Sequence, residues 1–152
     1  MDFNDVLQAV SAALDTDTDV QGYCQTTWTL PCTVFERLNP EAPPALENAP
    51  MVHLLPDNRT RQDMHHGEVL LLVAVFAPAG EAAQVAGTNI VRYGTAAGLE
   101  ALAQRAEHCI SRALHAVSVP FEQVPVDPEK LWGTAAFSVF YAYRVSMSDP
   151  LY

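Results

Sequence analysis

Val69-Leu70-Leu71-Leu72-Val73-Ala74-Val75-Phe76 is an unbroken apolar run, framed by Gly67 before it and Pro78 after it. Its length, its branched residues and that frame favour a strand, because a helix that is apolar all round needs burial on every side. A strand apolar on both faces needs cover on both faces. The rest of the chain offers few helices for the purpose, so a second subunit is expected to share in covering it.

Upstream, Met51 to Leu55 reads as a short strand and Pro56 to Gly67 as a polar loop, giving a hairpin with a long tip. That tip carries Arg59, Arg61, His65 and His66. Asn39 to Pro50 holds Pro40, Pro43, Pro44 and Pro50, too many for a helix or a central strand, and reads as an extended surface loop. Thr26 to Glu36, rich in Thr, Trp, Val and Phe, reads as a strand that Pro31 confines to an edge or breaks. At the start, Phe3, Val6, Leu7, Val10 and Leu14 recur at helical spacing behind a capping Asp2. Asp15-Thr16-Asp17-Thr18-Asp19 then competes for backbone hydrogen bonds and is expected to open a loop.

Downstream, Ala79 to Ala97 has no clean period, with a short helix expected near Glu81 to Ala86. Gly98 to Val117 is the clearest helix. Leu99, Leu102, Ala106, Ile110, Ala113 and Val117 form one stripe, with Gln104, His108, Ser111 and His115 opposite. Phe121 to Val126 is a short strand, Pro128 to Trp132 a turn, and Thr134 to Met147 a long strand. On that last strand Ala135, Phe137, Val139, Tyr141, Tyr143, Val145 and Met147 share a face, and Arg144 lies on the other. The elements add up to one α+β domain over residues 1–152, a mixed, mainly antiparallel sheet flanked by two helices.

The composition is that of a globular chain, 49% hydrophobic and 17% charged. Eighteen acids against eight bases give a net charge of −10, with Lys130 the one lysine, which argues against unaided binding to nucleic acid. The N-terminus lacks the basic and apolar regions of a signal peptide. No stretch reaches the roughly 18 apolar residues of a membrane span. Cys24, Cys32 and Cys109 form no CxxC pair, and are expected to be reduced thiols in a cytosolic chain.

No catalytic, cofactor or metal site is expected. His65 and His66 are adjacent, so on a strand they point to opposite faces, and His53 is the nearest third ligand. Neighbours on a helix diverge by about a hundred degrees, which keeps His108 from activating Cys109. The glycines match neither GxGxxG nor a P-loop, and Ser138 has no GxSxG context. Asp15, Asp17 and Asp19 lack the Gly and Glu that complete a calcium loop.

Taken in order, the elements resemble the tail-terminator and tail-completion proteins of long-tailed bacteriophages. The likeness lies in the helix Phe3-Asn4-Asp5-Val6-Leu7-Gln8-Ala9-Val10, in Val34-Phe35-Glu36-Arg37-Leu38, and in the hairpin from Pro50 to Val73. The helix from Gly98 and the strand Gly133-Thr134-Ala135-Ala136-Phe137-Ser138-Val139 complete it. It is a likeness of architecture, and Ala79 to Ala97 falls outside it. It implies a structural virion protein, not an enzyme, made in the host cytoplasm and placed at the head-proximal end of the tail. It also implies a ring, commonly hexameric, that caps the tail tube, meets the head connector and lets DNA pass its lumen without specific binding. Arg59, Arg61, His65 and His66 are then the expected partner contacts, and Tyr141, Tyr143 and Arg144 the expected subunit interface. The alternative is a small enzyme or ligand-binding domain with a pocket lined by His53, His65, His66 or His108.

Overall fold

The first helix, α1 (Phe3–Thr16), starts at a capping box in which Asp2 and Asp5 each accept the other's backbone N–H at 3.0 Å. These coordinates are a computed structural model that describes residues 2–61, 67–133 and 138–147. Phe3, Val6, Leu7, Val10 and Leu14 are all buried, as the helical period requires. The acidic stretch after α1 is not an open loop. Asp17 alone is extended, and its carboxylate accepts the Val20 N–H at 3.1 Å to start α2 (Thr18–Trp28). The short polar side chain that interrupts one helix is the best N-cap for the next.

Helix α2 takes up Thr26, Thr27 and Trp28, which the sequence pattern assigns to a strand, and it ends at a left-handed Thr29. Packing decides this against local propensity. A Cβ on Gly98 would come within 2.7 Å of the Trp28 ring, so glycine is what lets α2 approach the third helix. Trp28 meets Tyr23 edge-on at 5.6 Å, and the Arg105 guanidinium sits 4.4 Å over the Tyr23 ring.

The strand that follows is only β1 (Thr33–Glu36), with Pro31 before it. A Pro-rich segment with one 3₁₀ turn at Leu46–Asn48 leads to β2 (Met51–Arg61). Strand β2 runs six residues past the expected Leu55 and keeps pairing with β3 (Gly67–Phe76) through a register shift between Asp57 and Thr60. The region after β3 holds no helix near Glu81–Ala86. It is a separate hairpin of β4 (Ala82–Gln84) and β5 (Val91–Tyr93). Helix α3 (Gly94–Ala116) starts four residues earlier than Gly98. Strand β6 (Phe121–Val124), a 3₁₀ turn at Pro128–Lys130 and β7 (Ser138–Met147) close the chain, while residues 134–137 of the expected last strand lie outside the described residues.

Five strands form one sheet in the order β1-β2-β3-β7-β6, with β1 parallel to β2 and every other pair antiparallel. The α+β fold and its mainly antiparallel sheet agree with the sequence reading. Among the described residues the helices number three rather than two, and all three pack on one face. Val69, Leu71, Val73 and Val75 of the central strand meet them there, with Val52, Leu54, Tyr141, Tyr143 and Val145. Leu72, Ala74 and Phe76 look the other way, with Met51 and Ala142. Loops cover that second face: Leu38, Leu46 and Ala49 from the Pro-rich segment, and Val126 and Trp132 from the segment after β6. The doubly apolar strand therefore finds cover on both sides within its own chain.

Candidate assembly surface

The hairpin β4–β5 forms where Gly87 takes φ 75° and the Thr88 N–H donates to the Val85 carbonyl at 3.1 Å. Its base is held by the start of α3. The Gly80 N–H donates to Thr95 Oγ1, and the Gly94 N–H donates to the Glu81 carbonyl at 3.2 Å. All six strand residues are exposed. Ile90, Val91 and Tyr93 are 50%, 54% and 65% exposed, three of the five large apolar residues left open to solvent among those described. In the register Ala82 lies opposite Tyr93 and Gln84 opposite Val91, so one face carries Ala82, Val91 and Tyr93 together. A two-stranded hairpin is marginal by itself in water, and an apolar one profits from a further surface. Sequence reading missed these residues, although Ile90-Val91-Arg92-Tyr93 directly after Gly87-Thr88-Asn89 is a strand-and-turn signal.

The residues expected at interfaces fall elsewhere. Arg59 and Arg61 belong to the distal part of β2, with side chains beyond what the structure describes, and His65 and His66 lie outside the described residues. Tyr141 and Tyr143 are buried in the chain's own core and offer no surface to a neighbour. The Tyr141 hydroxyl donates to the Ala103 carbonyl of α3 at 3.4 Å. Burial pushes the Tyr141 phenol well above its usual range and the Tyr143 phenol up to about 12. The stripe read as interface is the seat of the helical layer. Arg144 is exposed, but it lies between two carboxylates of its own chain, 3.7 Å from Glu68 and paired directly with Glu122.

Among the described residues the histidines are not brought together. His53 is fully buried on the loop-covered face, where Trp132 Nε1–H donates to its Nδ1 at 3.0 Å. Its ring lies 4.7 Å from Phe76 and 5.4 Å from Phe35, centre to centre. Burial lowers its pKa to about 4, so it is neutral, with the ring proton on Nε2, which has no partner among the described residues. His53 anchors the loop that carries Trp132, and a Lys130–Asp57 ion pair at 2.6 Å ties the same loop to β2. His108 is exposed on α3, on the opposite side of the sheet, and His115 meets Phe121 edge-on at 4.9 Å. Cys109 is buried beside Arg112, and burial above all pushes its thiol up to about 11, away from nucleophilic character.

Among the described residues no group of three His, Cys, Asp or Glu side chains is placed to hold a metal ion, and no helix is long and apolar enough to cross a membrane. No protein-family model matches the chain, and no curated protein matches it either.

Proposed function

We propose that the chain is a structural subunit of a long-tailed phage virion, a tail-terminator or tail-completion protein that works by assembling rather than by catalysis. Copies close into a ring, hexameric as in the proteins it resembles, at the head-proximal end of the tail. The ring caps the tail tube, meets the head connector, and leaves a lumen for DNA. The observation that supports an assembling role is the β4–β5 arm, which lies outside the likeness and whose Ile90, Val91 and Tyr93 stand open to solvent on a hairpin apart from the main sheet. Apolar side chains concentrated on such an arm are suited to a neighbouring subunit or a tube protein. A head-to-tail contact, arm into neighbour, uses two different patches and closes when the rotation per subunit fits a ring. The net charge of −10 suits a channel that DNA slips through without sticking.

Light scattering over a concentration series, together with co-sedimentation with isolated tail tubes, tests the proposal. The wild type is expected to form a closed oligomer or to bind tube ends. Ile90→Lys and Tyr93→Lys are expected to lose both properties while their stability changes by less than about 0.5 kcal/mol, as at ordinary surface sites. A wild type that stays monomeric and ignores tube ends would leave the reading without support.

A further inference from the structure

Gln21 and Cys24 are three residues apart on α2, so their side chains leave the same helix face. The Gln21 amide clamps the backbone of Cys32. Its Oε1 accepts the Cys32 N–H at 2.9 Å, and its Nε2 donates to the Cys32 carbonyl at 3.0 Å. Nε2 also donates to the Leu14 carbonyl at 3.1 Å, which fixes the clamp to the last turn of α1. Residue 32 is thereby held against the next turn of the same face, where the Cys32 side chain is the largest influence on the Cys24 thiol and lowers its pKa. Cys24 is fully buried and Cys32 is 3% exposed. Cys32 also contributes to the wall of an open groove with Gln8, Ser11, Asp15 and Thr33.

We infer that Cys24 and Cys32 form a dithiol site that closes to an intramolecular disulfide on reaction with a small disulfide of the glutathione class, stapling α2 to β1. The reagent enters along the groove at Cys32. One thiol releases its proton and its sulfur attacks the reagent; a mixed disulfide forms as the reagent's S–S bond breaks and a small thiolate leaves. The second protein thiol releases its proton, and its sulfur displaces the other small thiolate to form the Cys24–Cys32 bond. Two protein thiols are oxidised, one small disulfide is reduced to two thiols, and the two protons end on those thiols. Cys32, on the wall of the groove, is the thiol the reagent reaches first, and Cys24, fully buried behind it, displaces the second small thiolate.

The test uses the folded full chain, incubated with oxidised glutathione at neutral pH, alkylated, digested and read by mass spectrometry. The expected product is a Cys24–Cys32 cross-linked peptide, with Cys109 alkylated and the bridge reopened by excess thiol. The oxidised protein is expected to melt about 5 °C higher, since the bridge restricts the unfolded chain. The Cys109→Ser variant is expected to bridge at the wild-type rate, and the wild-type peptide map decides if that variant does not fold. Three alkylatable thiols after full incubation, glutathione retained without a bridge, a bridge through Cys109, or a lower melting temperature would each overturn the assignment.

Discussion

His53 carries a titratable ring into an apolar enclosure, and its protonation is linked to folding. The unfolded ring takes up a proton near pH 6.5, whereas burial lowers the folded ring to about 4. Between those values the unfolded state binds more protons. The contribution of His53 is therefore complete above about pH 6.5 and is lost as pH falls toward 4, to a total of about 3 kcal/mol. Urea midpoints measured from pH 7 to pH 4 are expected to fall accordingly, and His53→Phe is expected to flatten that slope. The same fall in wild type and variant would show that other groups carry it. Asp17 is a second residue with two partners, the Val20 N–H and the Arg112 guanidinium at 3.0 Å. Asp17→Ala is expected to cost about 1 kcal/mol through the lost cap, and Asp17→Asn clearly less, because Asn caps as well. Equal losses in the two variants would assign the effect to the exposed ion pair instead.

Among the elements, α2 has the weakest local claim to its conformation. It buries only Val20 and Cys24 and ends in Thr-Thr-Trp, residues that favour strands. Its seat on α3 through Trp28 and Gly98 compensates. Gly98→Ala adds a better helix former, worth about 1 kcal/mol in an exposed helix. The added Cβ meets a rigid indole at 2.7 Å, and overpacking of this kind costs about 1–3 kcal/mol. A net destabilisation is expected in chemical denaturation, with a shift in Trp fluorescence. A stabilised variant would mean that Trp28 moves aside freely. The β4–β5 arm is the opposite case, an element whose six strand residues are all exposed, which is why substitutions there are expected to change assembly and not folding.

At the scale of the whole molecule, ten net negative charges oppose any contact between copies. Raising ionic strength from about 10 mM to about 150 mM shortens the screening length from about 30 Å to about 8 Å. Association of the wild type is therefore expected to tighten over that range, read as a fall in the midpoint of the light-scattering curve. Weaker association at the higher salt would point to an interface held by ion pairs and not by the apolar arm. The acidic balance is a property of the composition, but its effect depends on which surfaces meet.

The sequence by itself determined the buried faces of α1, α3 and β7, because burial of one side leaves a period of 3.6 or 2 in the order of residues, and it marked β3 by an unbroken apolar run, the sign of burial on both sides. Phe3 to Leu14 and the Leu99–Ala113 stripe could be read in this way, as could the alternation of Val139, Tyr141, Tyr143 and Val145. A period records that a side is covered and not what covers it. Tyr141 and Tyr143 therefore read equally well as interface or as core, and only the placement of α3 over them decided for core. The Thr26–Trp28 segment and the region after Pro78 have weak periods, so distant partners fixed them: Gly98 beneath Trp28, and Thr95 at the foot of the hairpin. The exposed arm and the Cys24–Cys32 pair likewise arise from the tertiary structure, since both depend on which segments, far apart or unordered by pattern, the fold brings together or leaves uncovered.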